Sequence, residues 1–217
     1  MKLDIVIPTW KRPEKTARCV ESIYNSITTH EFRIIVIPDI KRRRAFGIWN
    51  RYLQCTNSDT YDAMAYVCDD VTFYPETIEI ALNVFETLYP DLDGVIGLNR
   101  HNTPRGKEGW SVGGMGIIGE GFVANFPRRD CFCPDYTTFH ADSELRMFAD
   151  SIGKFTFCEE AHIFHDHPTY YPDAMDETHE IVREPGIVDM DRKTWETRRQ
   201  LKLLWGRSFE LVRGKDA

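Results

Sequence analysis

Apolar runs alternate with helical periodicity along the first hundred residues. Residues 3–8 and 32–38 are nearly continuous apolar runs, a pattern typical of strands that are buried on both faces of a sheet. A helical pattern begins at Glu14 between them, and its predicted inner stripe consists of Val20, Ile23, Tyr24 and Ile27. A strand, a helix and a strand in this order predict parallel pairing through a right-handed crossover.

The alternation continues to residue 98. We predict a helix over 41–57, a strand over 64–67, a helix over 76–88 and a strand over 93–98. The helix over 76–88 places four apolar residues on one face, namely Ile78, Leu82, Phe85 and Leu88. Regular alternation of strands and helices predicts an α/β fold with a mostly parallel central sheet flanked by helices.

The second half of the chain departs from this alternation. Residues 99–113 are polar and contain Gly and Pro, as in a binding loop or lid. Residues 114–119 fit the GxGxxG pattern, but no helix is predicted to follow, and we therefore reject a dinucleotide site. An amphipathic helix over 142–152 and two short strands, over 155–158 and 161–164, are predicted next.

The C-terminal tail is predicted to be a helical extension. Helical periodicity covers residues 191–211, and no repeat or domain boundary interrupts the chain before it. Its apolar residues are expected to dock on the body of the protein, and they are Trp195, Leu201, Leu204, Trp205 and Phe209.

Composition narrows the class of protein. The chain has 217 residues, of which 42% are hydrophobic and 28% are charged, as expected for one large globular domain. No apolar run reaches the length of a membrane span and the N-terminus lacks a signal-peptide pattern, so we expect a cytoplasmic protein with no membrane partner. Six scattered cysteines fit reduced thiols rather than a zinc site. A net charge of −7 argues against a broad nucleic-acid surface.

Two adjacent carboxylates, Asp69 and Asp70, follow the predicted strand over 64–67. Ligands of open α/β sheets bind just beyond the carboxyl ends of strands, and adjacent carboxylates repel each other unless a cation or hydrogen-bond donors offset the repulsion. Mg²⁺ and Mn²⁺ bind one or two carboxylates together with phosphate oxygens. The pair therefore indicates either a metal site or the capping of the turn before the next helix.

Histidines and a third carboxylate add candidate chemistry in the second half. His165 and His167 flank Asp166 and precede Pro168, and they fit either metal ligands or polar surface. Asp142 stands at the start of the helix over 142–152, as an N-cap residue would. Taken singly, none of these residues specifies a reaction.

Four motifs, in order along the chain, resemble those of family-2-type glycosyltransferases with the GT-A fold. Residues 5–13 look like the opening I-P-T-x-x-R strand and loop that holds the nucleotide, and Asp39 is similar to the aspartate that binds base or ribose. Residues 68–71 resemble the N-D-D-V form of the D-x-D metal motif, and residues 141–145 resemble the E-D-x-D-L motif that carries the catalytic base.

Two weaker matches extend the resemblance over nearly the whole chain. Residues 165–168 are similar to an H-x-H-P segment that completes the metal shell, and residues 204–206 resemble a K-W-G ending. The resemblance implies a single GT-A domain. Its expected parts are a nucleotide-sugar-binding half over 1–98, an acceptor and catalytic half over 99–170, and a C-terminal helical extension over 171–217.

The resemblance also implies roles for individual residues. Asp142 is the expected catalytic base, at a helix start that favours its anionic form. Asp70 is expected to hold Mn²⁺ or Mg²⁺ with His167 or His165 as a further ligand, and His167 is preferred because it immediately precedes proline. The residues expected to contact the nucleotide sugar, a UDP-sugar, are Pro8, Thr9, Arg12, Asp39, Asn50 and Asp69.

Three positions depart from the family pattern. Cys68 replaces the usual Asp or Asn, so the first carboxylate of the D-x-D motif is missing and Asp70 is expected to carry the metal contact. Asp39 is not followed by the usual D-x-S, which leaves the identity of the nucleotide open. Ala141 replaces the first residue of the E-D pair, and Asp142 is therefore the candidate base, with Glu144 as its neighbour.

The implied activity is metal-dependent transfer of a sugar from a nucleotide diphosphate to an acceptor hydroxyl, with inversion at the anomeric carbon. A divalent cation would stabilise the diphosphate leaving group. A nucleotidyltransferase and a non-catalytic sugar-nucleotide-binding protein remain alternatives, although residues 9–13 lack the glycines typical of the former. A metal hydrolase built on residues 165–167 would need more ligands than the sequence offers.

The acceptor is the most open part of the interpretation. The chain is similar to short soluble forms from phage-type genomes, some of which glycosylate hydroxymethylated bases in DNA, so a hydroxymethylated pyrimidine in DNA is the leading expectation. A saccharide or envelope glycan is the alternative. The basic and aromatic residues expected to face DNA are Lys41, Arg42, Arg43, Arg44, Arg105, Lys107, Trp110, Arg128 and Arg129.

Overall fold

The structure, a computed structural model, describes residues 1–42, 44–100, 114–126 and 128–206. The strands in this part of the chain are β1 (Lys2–Thr9), β2 (Glu31–Pro38), β3 (Ala63–Tyr66), β4 (Val71–Phe73), β5 (Val95–Arg100), β6 (Gly116–Gly119) and β7 (Phe155–His165). The α-helices are α1 (Pro13–Tyr24), α2 (Arg44–Cys55), α3 (Thr77–Leu88), α4 (Glu120–Val123), α5 (Ala141–Ser151), α6 (Glu177–Val182) and α7 (Pro185–Gln200). Short 3₁₀ turns cover Ser58–Thr60 and Pro172–Ala174.

One sheet of seven strands, in the order β2-β1-β3-β6-β5-β7-β4, runs through the molecule. β1 pairs in parallel with β2 and β3, and β5 pairs in parallel with β7. β6 is antiparallel to both β3 and β5, and β4 is antiparallel to β7. All strands except β4 and β6 therefore point the same way, and the predicted mostly parallel sheet flanked by helices is confirmed.

The two faces of the sheet are covered by different helices. Leu3, Ile5 and Ile7 of β1 join a cluster with α1 and α3, whereas Val6 joins a cluster with α2 and α5 on the opposite face. Ile5, Val6 and Ile7 are 0% exposed, and each such side chain contributes about 1.5–3 kcal/mol by its burial. Burial on both faces explains why residues 3–8 form a nearly continuous apolar run, as predicted.

The predicted inner faces of α1 and α3 are wrong at their C-terminal ends. Cys19 and Ile23 are the buried residues of α1, whereas Tyr24 and Ile27 are 69% and 67% exposed. The helix ends at Tyr24, so Ile27 no longer follows the helical period. Leu88 is the last residue of α3 and is 49% exposed.

The two short strands predicted over 155–158 and 161–164 are one continuous strand, β7. Its pairing with β5 changes register after Leu98. The resulting bulge accommodates Glu159 and Glu160, which are exposed. Two charged residues in succession interrupted the apolar pattern, and the prediction therefore divided a strand that the bulge holds together.

The last four residues of the GxGxxG match form β6, and the helix after it, α4, has a single turn. A Cβ atom on Gly116 would lie 2.2 Å from the carbonyl oxygen of Ile96 and 2.7 Å from the hydroxyl of Tyr66. A Cβ atom on Gly119 would lie 2.0 Å from the carbonyl oxygen of Leu92. These two glycines therefore permit close packing within the core of the sheet.

The C-terminal extension differs from the predicted helix over 191–211. The helix found there, α7, begins earlier and ends at Gln200, and Leu201 beyond its end is 62% exposed. Trp195 and Trp205 do pack against the cluster that α2 and α5 form, as predicted. Phe209 lies outside the described residues, as does most of the predicted loop over 99–113.

Two expectations based on composition can be compared with the structure. In the four described stretches of chain, no helix has both the length and the apolar character that crossing a bilayer requires. All six cysteines are free thiols. Those that are buried are Cys19, Cys131, Cys133 and Cys158.

Candidate active site

The candidate site lies at one edge of the sheet, where β1, β3 and β7 end. Arg12 lies in the loop after β1, Asp69 and Asp70 follow β3, and His165 is the last residue of β7. β4 starts directly after Asp70 and pairs antiparallel with β7, so that Val71 is opposite His165. The topology of the sheet thus brings together residues that are far apart in the sequence.

Asp70 is the most constrained carboxylate of the site. It is 4% exposed. Its Oδ2 atom accepts a hydrogen bond from Arg12 Nη1 at 3.3 Å and lies 3.2 Å from His179 Nε2. Its Oδ1 atom lies 3.2 Å from His165 Nε2. Burial alone would raise the pKa of Asp70, but His165, His179 and Arg12 lower it well below its usual range. Asp70 is therefore an anion.

Arg12 links the neighbouring acidic residues. Its Nη1 atom donates to Asp69 Oδ1 at 2.9 Å, and its Nη2 atom donates to Asp176 Oδ1 at 2.9 Å. Burial opposes its charge, but Asp70 and Asp69 raise the pKa of Arg12 above its usual value. Burial raises the pKa of Asp69, although the same guanidinium acts in the opposite direction. The two adjacent aspartates therefore differ in proton affinity, because Asp70 has the imidazole partners.

Three imidazoles lie around Asp70. The ring centroids of His165 and His167 are 4.8 Å apart, and those of His167 and His179 are 5.4 Å apart. Burial, followed by the neighbouring His165, lowers the pKa of His167 to about 3, so His167 is neutral at neutral pH. His165 contacts Asp70 directly, whereas His167 contacts the rings of the other two histidines.

These residues have the chemistry of a divalent-cation site. Carboxylates and neutral imidazole nitrogens are ligands of Mn²⁺ and Zn²⁺. The Oδ1 atom of Asp70 is buried without a hydrogen bond of good geometry. In the described ranges, no three His, Cys, Asp or Glu side chains are already spaced as ligands of one ion. The Arg12 guanidinium lies among the acidic groups and pairs with Asp69, Asp70 and Asp176.

Asp166 takes no part in this cluster through its side chain. Its carboxylate forms an ion pair with Arg18 at 2.8 Å, and its backbone N–H donates to the carbonyl oxygen of Asp70 at 2.9 Å. The latter bond fixes the chain after β7 against the chain after β3. A hydrolase centre built on Asp166 with its flanking histidines has no support from this arrangement.

The residues expected at the nucleotide end lie where β1 and β2 finish. Pro8 and Thr9 pair with the last residues of β2, and Thr9 Oγ1 is 2.7 Å from Thr16 Oγ1. The backbone N–H of Asp39 donates to the carbonyl oxygen of Thr9 at 2.8 Å, and Asp39 Oδ2 accepts from the N–H of Arg44 at 2.9 Å. Asp39 therefore supports the first turn of α2.

Asn50 lies away from this group, inside α2. It is 7% exposed, its side-chain oxygen accepts from the N–H of Phe132 at 2.9 Å, and its side-chain nitrogen donates to the carbonyl oxygen of Phe132 at 2.6 Å. Both ends of the amide therefore bind one backbone position. We assign Asn50 a structural contact and leave it out of the proposed donor site.

Asp142 lies in the first turn of α5, but it is not the N-cap residue. That position belongs to His140, which has a left-handed φ of 74° and makes no capping hydrogen bond through its side chain. A Cβ atom on Gly114 would lie 3.4 Å from Asp142 Oδ2 and 3.4 Å from the guanidinium of Arg100. Burial has the largest effect in raising the pKa of Tyr66, and the charge of Asp142 has the next largest. Asp142 is therefore close to the end of β3, the strand that leads to Asp70.

Sequence reasoning missed His179 and Asp176. His179 lies in α6 and is 4% exposed, and its contact with Asp70 spans 109 positions of sequence. The side chain of Asp176 caps α6 by accepting from the N–H of His179 at 3.1 Å. An aspartate before a short helix was the one available signal, and nothing local in the sequence links that helix to Arg12.

Comparison with known proteins identifies the fold. No protein-family model and no curated protein matches the chain. Among solved structures, the catalytic domain of Drosophila β1,4-galactosyltransferase 7, in complex with xylobiose, matches over 84% of this chain and 79% of its own, with a TM-score of 0.56 and 17% identity. The chain has the GT-A fold of glycosyltransferases.

Two further structures with this fold match at similar levels. Residues 1–349 of TarS from S. aureus match over 82% of this chain and 68% of their own, with a TM-score of 0.55 and 13% identity. A mannosyltransferase from Pyrobaculum calidifontis, in complex with GDP-Man and Mn²⁺, matches over 75% of this chain and 56% of its own, with a TM-score of 0.56 and 11% identity. In the GT-A fold of this chain, the acidic and histidine cluster lies at the carboxyl ends of the strands, where α/β sheets bind ligands.

Proposed function

We propose that this protein is a metal-dependent glycosyltransferase that moves a sugar from a nucleotide diphosphate to an acceptor hydroxyl. The observation that carries the proposal is Asp70, a buried anion after β3 with His165 and His179 on its two oxygens. The galactosyl- and mannosyltransferases that share its fold support the choice of reaction. One of them holds GDP-Man together with Mn²⁺, which supports a nucleotide-sugar donor and a divalent cation.

The cation would be held by Asp70 together with His165 or His167. When bound, it supplies positive charge to the diphosphate leaving group. His165 already contacts the carboxylate, and His167 is kept neutral by burial and by His165. We retain Mn²⁺ or Mg²⁺ as the proposed ion.

The donor would be bound by the loop after β1 and by the end of β2. Arg12 stays charged in a buried position, so it is suited to phosphate oxygens once it leaves Asp69 and Asp70. Thr9 and Asp39 are joined by a backbone hydrogen bond and would border the nucleotide. We retain a UDP-sugar as the proposed donor, which the comparisons do not distinguish from a GDP-sugar.

Asp142 would accept the proton of the acceptor hydroxyl. It lies in the first turn of an 11-residue helix, where the helix dipole favours its anionic form. Arg100 and Gly114 lie beside its carboxylate. Because glycine has no side chain, Gly114 does not cover this face of the carboxylate. A single displacement from this side would invert the anomeric carbon, as the family resemblance implies.

The deciding experiment measures sugar transfer and nucleotide release with UDP-sugars and GDP-mannose in the presence of Mn²⁺. The variant Asp142→Asn should lower kcat roughly 10²- to 10⁴-fold, the usual contribution of a general base, without a comparable change in donor binding. Asp150→Asn, an exposed change on the same helix, is the matched control. Equal activity of the two variants would remove Asp142 from the reaction, and no release from any donor would remove the proposed function.

The proposed DNA acceptor has to be based on fewer basic residues than the sequence indicated. Arg129 donates to Glu120, to the hydroxyl of Tyr61 and to the carbonyl oxygen of Leu53, and Arg128 pairs with Asp130. Arg129 is therefore engaged within the protein, whereas the side chain of Arg128 is 72% exposed. Of the basic residues named above, the described ones that still support a DNA-facing surface are Lys41, Arg42, Arg44 and Arg128. Arg43, Arg105 and Lys107 lie outside the described residues, as does Trp110.

A further inference from the structure

The carboxylate of Asp176 lies between two cations of the chain. Its Oδ1 atom accepts a hydrogen bond from Arg12 Nη2 at 2.9 Å, and its Oδ2 atom lies 2.9 Å from Lys15 Nζ. Arg12 directly precedes α1, and Lys15 lies in the first turn of that helix. Burial would raise the pKa of Asp176, but the bonds from Arg12 and Lys15 lower it well below its usual range. Asp176 is therefore an anion held by two cations.

Among the carboxylates that pair with Arg12, Asp176 is the one that solvent reaches. Its side chain is 28% exposed, whereas those of Asp69 and Asp70 are 6% and 3% exposed. The side chain of Arg12 itself is 8% exposed, so an anion from solution would reach the guanidinium by taking the place of Asp176. Such an exchange keeps the buried charge of Arg12 paired, as a buried charge requires.

The contacts of Arg12 leave one of its donors unmatched. Nη1 donates to Asp69 and Asp70. Nη2 donates to Asp176 and lies 2.9 Å from both ring nitrogens of His179, whereas Nε is buried without an acceptor. Nε–H and one N–H of Nη2 point from the same edge of a guanidinium, and such an edge binds a phosphate group through two parallel hydrogen bonds. A phosphate in the place of Asp176 could therefore accept from both nitrogens.

We propose that Arg12 and Lys15 form a binding site for the diphosphate of the donor, and that Asp176 occupies this site until the donor binds. The carboxylate presents anionic oxygens to both cations, as a phosphate group does. The inference rests on the proposed function for the identity of the ligand, and it adds Lys15 to the residues that bind it. Donor binding is then a competition between two anions, in which Asp176, the N-cap residue of α6, has to release Arg12 and Lys15.

Titration of the full chain with inorganic pyrophosphate and with UDP, followed by phosphorus NMR in the absence of divalent metal, tests the proposal. Asp176→Asn should tighten the binding of both ligands about 5- to 10-fold, because a neutral amide forms weaker hydrogen bonds to Arg12 than a carboxylate does. Asparagine still caps α6. A purely supporting role of Asp176 predicts the opposite sign, since loss of support weakens binding.

A matched control separates occupation of the site from a change in net charge. Glu177→Gln removes the negative charge of the next residue, which pairs with Lys11 at the surface, and should leave both affinities within about twofold of the wild type. Melting temperatures show whether each variant is folded. Asp176→Ser, which caps a helix without a charge, replaces Asp176→Asn should the latter not fold.

A second pair of variants tests Lys15 where Asp176 no longer competes. In the Asp176→Asn background, Lys15→Gln should weaken pyrophosphate binding about 5- to 10-fold, because a hydrogen bond between charged groups is lost. Arg18→Gln removes a cation from the same helix that pairs with Asp166 instead, and it should change the affinity by less than about twofold. Equal effects of the two changes would remove Lys15 from the site.

Four results would overturn the inference. They are no pyrophosphate binding by any variant, unchanged or weaker binding in a folded Asp176→Asn variant, an equal gain in Glu177→Gln, and a gain for pyrophosphate with none for UDP. The titration is independent of sugar transfer. Tighter binding in Asp176→Asn without transfer from any donor would support the inference and contradict the proposed function, whereas transfer by the wild type without that gain would do the reverse.

Discussion

Asp70 stays ionised although its burial alone would favour the neutral form. Its partners are Arg12 and two histidines, and together they outweigh the effect of burial on its pKa. A carboxylate held in this way contributes to two properties of the protein. It stabilises the folded chain as the counter-charge of Arg12, and it provides the central ligand of the proposed cation site.

Removal of Asp70 should therefore affect stability as well as metal binding. Asp70→Ala leaves Arg12 and His179 buried without their common acceptor, and breaking a buried ion pair costs about 3–5 kcal/mol. We expect the lower end of that range, because Arg12 keeps Asp69 and Asp176. Chemical denaturation measures the loss, and Mn²⁺ titration of the folded fraction should show no binding. A variant as stable as the wild type would contradict the role of counter-charge.

Glu79 provides a second prediction at the scale of one residue, far from the site. Its carboxylate accepts from the N–H of Thr29 and from the hydroxyl of Thr28, and these bonds lower its pKa to about 2. A carboxyl group whose folded-state pKa is depressed adds stability above its unfolded-state value, and this contribution is lost as the pH falls through the folded-state value.

The expected result is a pH-dependent difference between the wild type and Glu79→Gln. The wild type should be the more stable of the two at neutral pH, and the difference should decline below the ordinary carboxyl value of 4.5 and vanish below about pH 2. Denaturation series at several pH values measure this difference, and carboxyl NMR shifts give the pKa directly. Titration of Glu79 at its ordinary value would show that the bonds to the two threonines do not persist in solution.

At the scale of elements, α7 shapes the loop that leads to Asp142. Asp191 is 0% exposed, and its carboxylate accepts hydrogen bonds from the backbone N–H groups of Thr137, Thr138 and Phe139 at 2.7–2.8 Å. The ring of Trp195, one turn later, stacks on His140 at 5.0 Å. The C-terminal extension thus fixes the residues immediately before the helix that carries the proposed base.

Asp191→Ala should lower both stability and turnover. It leaves three backbone donors without their acceptor, a change that costs at least about 2 kcal/mol, and kcat should fall with little effect on donor binding because the base is displaced. Asp189→Ala, on the exposed side of the same helix, is the control and should stay within about 0.5 kcal/mol of the wild type. Equal effects of the two changes would show that the loop holds its shape without α7.

The elements that the sequence predicted correctly are those with strong periodic patterns. β1 was predictable because both its faces are buried, and α3 because Ile78, Leu82 and Phe85 recur at helical spacing. α6 was not predictable, since its six residues include one buried side chain, and a helix of that length has too few apolar positions to show a period. The end of α7 was misplaced because apolar Leu201 continues the pattern past the last helical turn.

The candidate site could be predicted only in part for a related reason. Asp70, His165 and Arg12 each follow or end a buried strand, and the order of strands in an α/β sheet places such positions at one edge. The position of His179 depends on how a short helix after the last strand folds back over the sheet. That path is determined by contacts between α6 and the loop after β1, 166 to 168 positions apart, and no local pattern encodes them.

At the scale of the whole molecule, charge bears on the acceptor. The chain carries a net charge of −7, so a DNA acceptor would have to be held against overall repulsion by a local group of cations. Lys41 and Arg42 stand just before α2, and the guanidinium of Arg42 lies 5.1 Å from the ring of Trp10. Trp10 belongs to the loop proposed to bind the donor, so these cations lie beside the proposed donor site.

A DNA acceptor then predicts a specific salt dependence. The double variant Lys41→Gln and Arg42→Gln should raise KM for DNA that contains hydroxymethylated pyrimidine, and each lost phosphate contact should reduce the slope of log affinity against log salt by about 0.9. Arg192→Gln, an exposed change on α7, should leave both quantities unchanged. Nucleotide release without acceptor should also be unchanged, because the cations would act on DNA alone.

Transfer of radiolabelled sugar to matched acceptors decides between the two acceptor classes. Hydroxymethylated DNA, the same DNA without the modification, and an oligosaccharide are offered with each donor at low and high salt. Label in the modified DNA alone is the expected result, since only that substrate brings a hydroxyl on a base to Asp142. Label in the oligosaccharide with none in either DNA, at any salt concentration, would contradict the DNA acceptor and support a saccharide acceptor. The proposed roles of Asp70 and Asp142 would stand in that case, because neither role depends on which molecule carries the hydroxyl.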